Sequence, residues 1–195
     1  MPECIKKTKQ ESRRRFKQMR ADMPSEEKVE RDRLIAQSFL ALDCYASCKT
    51  LLIYYSTAIE VDTHAIINRA FADGKRVAFP VCRENGEMDF YIAESIDELF
   101  PDAYGIPAPE AQAPRLVDSF EDTLCVVPAL AYDLSGFRLG FGKGYYDRYI
   151  SRTGVKTIGL CYECFVVDKL AVDEFDCSAD ALLTDEKYRN FSKLL

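Results

Sequence analysis

A chain of 195 residues, 48% hydrophobic and 30% charged, is long enough for one ordinary globular domain spanning residues 1–195 with a real core. It holds no apolar run near the ~20 residues a bilayer requires, and its Lys/Arg-rich start has no apolar segment behind it, so neither a membrane span nor a secretory signal is expected. A formal charge of −6 argues against broad nucleic-acid or membrane-surface binding. Any anionic ligand must be caught by local cations, not by the global field.

From about Lys6 to Arg20 the pattern is helical. Ile5, Ser12, Phe16 and Met19 fall on one narrow face, and Lys9, Arg13, Lys17 and Arg20 make a cationic column at near-helical spacing. Such a column is commonly a solvated face. The sharper reading is that Lys9 and Arg13, one turn apart, reach a polyanionic phosphate together. Met23-Pro24-Ser25-Glu26-Glu27 reads as a helix start with Ser25 as cap and two carboxylates at the positive end of the dipole. That helix runs to about Leu42 and buries Val29, Ala36, Leu40, Ile35, Phe39 and Leu42.

Thr50 to Tyr55 is the first strong strand. Asp62 to Asp73 follows as a helix with Ile66, Ile67, Ala70 and Phe71 inward, closed by Gly74, and Arg76 to Pro80 is the next strand. A crossover of about twenty residues between them implies a right-handed parallel unit. Ligands in open parallel sheets bind beyond the carboxyl ends of strands, which makes Glu60 a candidate contact; the plain alternative is that Glu60 to Thr63 caps the helix. Asp89 to Ala93 alternates polar and apolar residues, as a strand near a sheet edge does. Tyr104 to Pro114 is proline-rich, loop-like and too short to link domains, so it is expected to drape over the sheet.

Leu124 to Val127 reads as a buried strand. Beyond it, four glycines (Gly136, Gly140, Gly142, Gly144) fall within nine residues around Arg138 and Lys143, and the chain passes into a helix from Tyr145 to Arg152, ended by Gly154. Glycines at that density let the backbone take positive φ and bring N–H groups close to a ligand. The free amides and positive end of the helix point into the same space. The spacing is not a Walker A loop, because Gly144 rather than Ser or Thr follows Lys143, and it is not a dinucleotide fingerprint. The stretch reads as a phosphate site, with a surface loop as the alternative.

Thr157 to Cys161 is another strand and Ala181 to Thr184 a last short one. Of the eight cysteines, only Cys161 and Cys164 lie at ligand-like spacing, and His64 is the single histidine, too few for the four ligands of a structural zinc site. Cys125 and Cys161 sit in apolar runs, where cysteine packs as a small hydrophobe. Without an export signal, the cysteines read as reduced thiols in a cytoplasm.

The run Arg138-Leu-Gly-Phe-Gly-Lys-Gly-Tyr-Tyr-Asp147-Arg148 resembles the signature of the 5-formyltetrahydrofolate cyclo-ligase (5,10-methenyltetrahydrofolate synthetase) family. Lys9-Gln-Glu-Ser-Arg13, Tyr55-Ser56 with Glu60-Val-Asp-Thr63, Gly74-Lys75 to Pro80, and Asp173-Glu-Phe-Asp176 with Asp180 and Leu183-Thr184 match other family segments in order. Phe175 stands where the family often has histidine. The resemblance implies ATP- and magnesium-dependent ring closure of 5-formyltetrahydrofolate, with or without a polyglutamate tail, by a monomer or homodimer. It also implies an α/β fold, a three-layer α/β/α sandwich with a mostly parallel sheet, similar to the sugar-phosphate isomerase and CoA-transferase group. On that resemblance, Lys9, Arg13 and the run Arg138, Leu139, Gly140, Phe141, Gly142, Lys143, Gly144, Tyr145 and Tyr146 would bind ATP, with Lys143 and Arg138 catalytic. Asp147 and Asp176 would contact Mg2+. Tyr55, Glu60 and Tyr145 or Tyr146 would take the folate. Two alternatives stay open at this point: a phosphosugar isomerase-like enzyme, needing an acid–base pair and no ATP, and a nucleotide or folate sensor without turnover.

Overall fold

The computed structural model describes residues 3–83, 86–102, 105–111 and 115–191. Tyr104 and residues 112–114 of the expected proline-rich loop lie outside the described residues. In chain order the elements are α1 (Glu3–Ala21), α2 (Ser25–Leu40), α3 (Asp43–Ser47), β1 (Thr50–Leu52), α4 (His64–Ala72), β2 (Arg76–Cys82) and β3 (Met88–Ala93). Then follow β4 (Phe100–Pro101), β5 (Pro107–Ala108), β6 (Thr123–Val127), β7 (Ala131–Asp133), β8 (Arg138–Leu139), α5 (Tyr145–Thr153), β9 (Lys156–Leu160), β10 (Val166–Val167), β11 (Ala181–Leu183) and β12 (Tyr188–Asn190).

The frame is a seven-stranded sheet in the order β12-β11-β9-β6-β1-β2-β3. The five inner strands are parallel, and β3 and β12 close the edges antiparallel. Fully apolar runs such as Leu124-Cys125-Val126-Val127 form the middle because both faces are covered. Leu51, Val77, Leu124, Val126 and Ile158 pack on one face with Ile35, Phe39, Ile66 and Ile67 of α2 and α4. Leu52, Ala78, Cys125 and Val127 pack on the other with Tyr149 of α5. Alternation within each strand therefore divides the core between two helical faces.

Several boundaries differ from the sequence expectation. β1 ends at Leu52, although Ile53 still donates to the Ala78 carbonyl at 2.9 Å. Ser25 does not cap α2: Pro24 occupies that position, with no side-chain hydrogen bond. Val29 is 68% exposed, and the buried face of α2 instead includes Asp32, whose Oδ1 accepts from the Tyr162 hydroxyl at 2.6 Å and the Asp62 amide at 3.0 Å. The stretch after Pro128, read as continuous loop, contains the β7–β8 hairpin. Gly136 (φ +84°) makes its turn, and a Cβ there would meet Phe191 at 2.7 Å, so this glycine serves packing rather than a ligand.

Small strands need a close fit, and Gly159 shows it. A Cβ at that position would lie 2.3 Å from the Tyr132 ring, itself fully buried. Gly159→Ala is expected to lose about 1–3 kcal/mol through overpacking, read as a lower urea midpoint with an unchanged slope; an unaltered midpoint would show that the tyrosine moves aside freely.

Candidate active site

The site lies beyond the carboxyl ends of β1, β2 and β6, where the chain leaves β1 toward β2 on one side and returns to β6 on the other. Such a crevice is where open parallel sheets hold ligands. A cavity of about 950 Å³ occupies it. All the residues singled out from the sequence line this one cavity: Lys9 and Arg13, Tyr55 and Glu60, the run from Arg138 to Asp147, and Asp176.

Helix α1 supplies the cations, and it does so with the face expected to be solvated. Lys9 and Arg20 of the cationic column are buried together with Phe16 of the apolar stripe, and Met19 of that stripe is 38% exposed, so the helix turns inward a face that joins the two. The Arg20 guanidinium donates to the Leu130 and Ile59 carbonyls at 2.9 Å each and lies over the rings of Tyr162 and Phe165. Arg13 Nε donates to the Gly140 carbonyl at 2.9 Å. Lys17 is the exception: it stays exposed, with its ammonium 5.5 Å from the centre of the Phe141 ring. Lys9 Nζ reaches Asp173 Oδ2 at 2.6 Å and also Asp176 Oδ2, with all three side chains largely buried.

Asp173 was missing from the sequence-derived set, although it sits three residues before Asp176 in the same acidic segment. Burial works to raise its carboxyl, but hydrogen bonds from Lys9 and the Phe175 amide outweigh burial and hold it below the usual carboxylate range. Asp176 Oδ2 also accepts from the Asp173 amide at 2.7 Å.

Arg138 and Asp147 form a second pair. The arginine, on β8, donates to Asp147 Oδ1 at 2.7 Å and to the Cys177 carbonyl at 2.9 Å, and the Cys177 amide donates to the same Oδ1 at 3.1 Å. The glycine loop between them is shaped by close approach. Gly142 (φ +106°) would press a Cβ to 3.3 Å from the Arg13 guanidinium, and Gly144 (φ +68°), at the N-cap of α5, would bring one to 2.9 Å from Arg148. The amides of Phe141, Gly142, Lys143 and Gly144 find no acceptor among the described residues, and Lys143 is exposed without an ion pair among them. Free amides, a helix start and unspent cations are a place for phosphate.

The rest of the wall is aromatic and apolar. Tyr55 meets the His64 ring edge-on at 4.4 Å, and Tyr146 meets Phe90 at 6.2 Å. The Tyr146 hydroxyl is buried with no partner among the described residues, and burial pushes it well above the ordinary tyrosine range. Glu60 does not cap α4; Asp62 takes the His64 amide at 2.8 Å instead. The Glu60 carboxylate is buried, and one oxygen accepts from the Thr57 amide at 2.8 Å and hydroxyl at 2.7 Å. Its other oxygen has no hydrogen-bond partner among the described residues. No cluster of three metal-ligating side chains occurs among the described residues. The CxxC stretch is separate from the site: Cys161 is buried beside Arg20, and burial lifts its thiol to about 11.

Comparison with known proteins follows the same lines. Residues 5–185 match the model of the 5-formyltetrahydrofolate cyclo-ligase family. A probable 5-formyltetrahydrofolate cyclo-ligase of Schizosaccharomyces pombe is 31% identical over 169 residues, covering 78% of this chain and 83% of the relative. The 5-formyltetrahydrofolate cyclo-ligase of Mus musculus is 30% identical over 195 residues, covering 93% and 96%. The NMR structure of Aquifex aeolicus 5,10-methenyltetrahydrofolate synthetase superposes with a TM-score of 0.82 at 30% identity, over 96% of this chain and 94% of that one.

The lowered Asp173 carboxyl has a consequence for stability. A group whose pKa is depressed on folding stabilises the fold above its unfolded value, about 3.9, and that stability is lost as pH falls through the folded value. Asp173→Asn is therefore expected to be less stable than the parent at pH 7, with the gap narrowing steadily below about pH 4. Melting temperatures of both proteins from pH 7 to 2 measure this; a gap independent of pH would mean the Lys9 contact contributes only packing.

Proposed function

The chain belongs to the 5-formyltetrahydrofolate cyclo-ligase family, and on that premise we propose how its residues divide the work. It catalyses the ATP-dependent cyclisation of 5-formyltetrahydrofolate to 5,10-methenyltetrahydrofolate. One observation carries the assignment of residues: cations, bare amides and an aromatic wall with a buried carboxylate all face a single cavity. The sheet covered on both faces supports reading the fold as a three-layer α/β/α sandwich of the sugar-phosphate isomerase and CoA-transferase kind.

The formyl group on N5 is amide-like, and its oxygen is a poor leaving group. In the proposed route that oxygen attacks the γ-phosphorus of ATP, the bond to the β–γ bridging oxygen breaks, and ADP departs. N10 of the folate then attacks the carbon of the resulting N5-iminium phosphate. N10 gives up its proton, the carbon–oxygen bond breaks, phosphate leaves with the electron pair, and the five-membered ring is closed. Both nucleophiles belong to the folate. The protein's part is alignment and charge neutralisation.

Arg138, Lys143 and the loop amides Gly140 to Gly144 are assigned to the transferring phosphoryl group, with Lys9 and Arg13 on the remaining phosphates. Tyr55 and Tyr146 would hold the pterin by ring contact, and the free Glu60 oxygen would accept from its N–H groups. Magnesium fits the donors present. Asp147 and Asp176 each keep one carboxylate oxygen with no partner among the described residues, and Mg2+ commonly takes one or two carboxylates beside substrate phosphates rather than an all-protein cage. Bound there, it would neutralise charge on the triphosphate. Eight free thiols, together with the lack of any helix able to cross a membrane among the described residues, support a cytoplasmic setting.

Two substitutions test the assignment. Lys143→Ala is expected to lower kcat on the order of a hundredfold or more with an unchanged melting temperature, since this exposed side chain contributes nothing to the core; wild-type formation of the methenyl product, followed by absorbance, would remove Lys143 from the chemistry. Asp176→Asn should shift the magnesium titration of the rate to higher concentration, and an unmoved titration would take Asp176 out of the metal's coordination.

A further inference from the structure

Two aromatic side chains of the cavity wall are left in water: Phe141, 37% exposed, and Phe175, 67% exposed. One is already engaged, since Lys17 sits over the Phe141 ring. Tyr55, Tyr145 and Tyr146 also have a ring or cation against them. The Phe175 ring meets neither among the described residues. Its backbone is nonetheless held. The Phe175 amide donates to Asp173 Oδ1 at 3.0 Å, the Asp176 amide donates to the Asp173 carbonyl at 3.2 Å, and the two aspartates flanking it grip Lys9. An apolar ring on a fixed turn, mostly exposed on the wall of a cavity, gives nothing to the core and offers a flat surface to a flat ligand.

We propose that Phe175 is the platform on which the adenine base of ATP stacks, making it a specificity-determining residue for the nucleotide. This rests on the reading above that phosphate lies beside Lys9. The base, rather than a folate ring, is the partner because Phe175 stands between the two carboxylates that hold the phosphate-side cation. The residues assigned to folate belong to other segments, after β1 and at the start of α5. A phenyl ring carries no donor or acceptor, so the contact selects for π area rather than for a hydrogen-bond pattern, and purines are favoured over pyrimidines.

The test compares intact parent protein with Phe175→Ala and Phe175→Trp, using ATP, CTP and inorganic tripolyphosphate as calorimetric ligands alongside steady-state kinetics. The parent should bind ATP more tightly than CTP or tripolyphosphate. Phe175→Ala should weaken ATP about tenfold and raise its KM to match. Tripolyphosphate affinity, the KM for 5-formyltetrahydrofolate and kcat at saturating ATP should all stay put, and Phe175→Trp should restore ATP binding. Unchanged ATP affinity in Phe175→Ala, or a change confined to the folate KM, overturns the inference. A parent that binds tripolyphosphate as well as ATP overturns it alone, because the phosphate site still stands. A parent that binds neither overturns the phosphate reading, and the inference with it.

Discussion

Lys9 is held by Asp173 and Asp176 in a contact that spans 164 and 167 residues of sequence, and the character of the cavity depends on it. An ammonium taken out of water is costly unless carboxylates and hydrogen bonds surround it, and removing one partner strands a buried charge. Here the partners are themselves braced, by the amides of Phe175 and Asp173. Arg138 and Asp147 repeat the arrangement on the opposite segment, braced by Cys177. Lys9 between its two aspartates and Arg138 beside Asp147 each keep a cation in the wall. A net charge of −6 is then no obstacle to an anionic ligand, since the field that matters is set within a few ångströms.

The sheet explains why these distant segments meet. Helix α4 carries the chain from β1 to β2, and the return to β6 leaves a crevice at the carboxyl ends of the inner strands. The first strand delivers Tyr55 and Glu60 to one side of it, and β6 delivers the hairpin and glycine loop to the other. Helix α1 then closes over the top, anchored through Phe16 against Phe165, Arg20 on two carbonyls, Arg13 on Gly140 and Lys9 on the C-terminal turn. Two of those four anchors, Lys9 and Arg13, also line the cavity. Ligand and helix therefore share contacts.

What was legible in the sequence follows from the range of the forces involved. The inner strands, α4 with Gly74, and α5 between Gly144 and Gly154 were readable because apolar period and positive-φ glycines act locally. The glycine run pointed to the cavity for the same reason. The burial of Lys9 and Arg20 beside Phe16 on α1 was not legible, because a periodicity argument counts them as polar, while their burial rests on aspartates and carbonyls far along the chain. Val29 was assigned to the core and Asp32 was not, for the mirror-image reason: Tyr162, well over a hundred residues on, satisfies that carboxylate. Asp173 lay in view beside Asp176, but nothing in its spacing distinguished it from a solvated acid. The β7–β8 hairpin was hidden because its strands are short and its turn glycine, Gly136, looked like part of the phosphate loop.

The same pairings set how a triphosphate would enter. Phosphate oxygens reaching Lys9 and Arg138 compete with Asp176 and Asp147 for one set of donors, so part of the gross attraction offsets contacts already made. Charge-assisted bonds to phosphate are strong individually, yet the net gain is a difference between two ionic partners, which favours release of nucleotide after turnover. The loop amides and Lys143 differ, because they have no partner among the described residues to surrender. Their contribution is available only to a ligand, and on the proposed assignment it would fall on the phosphoryl group that must be steadied as it moves. On the proposed assignment, Lys9 holds through a competed contact, while the loop amides and Lys143 add uncompeted ones beside Arg138 at the transferring group, which directs binding energy toward the step where the bond breaks.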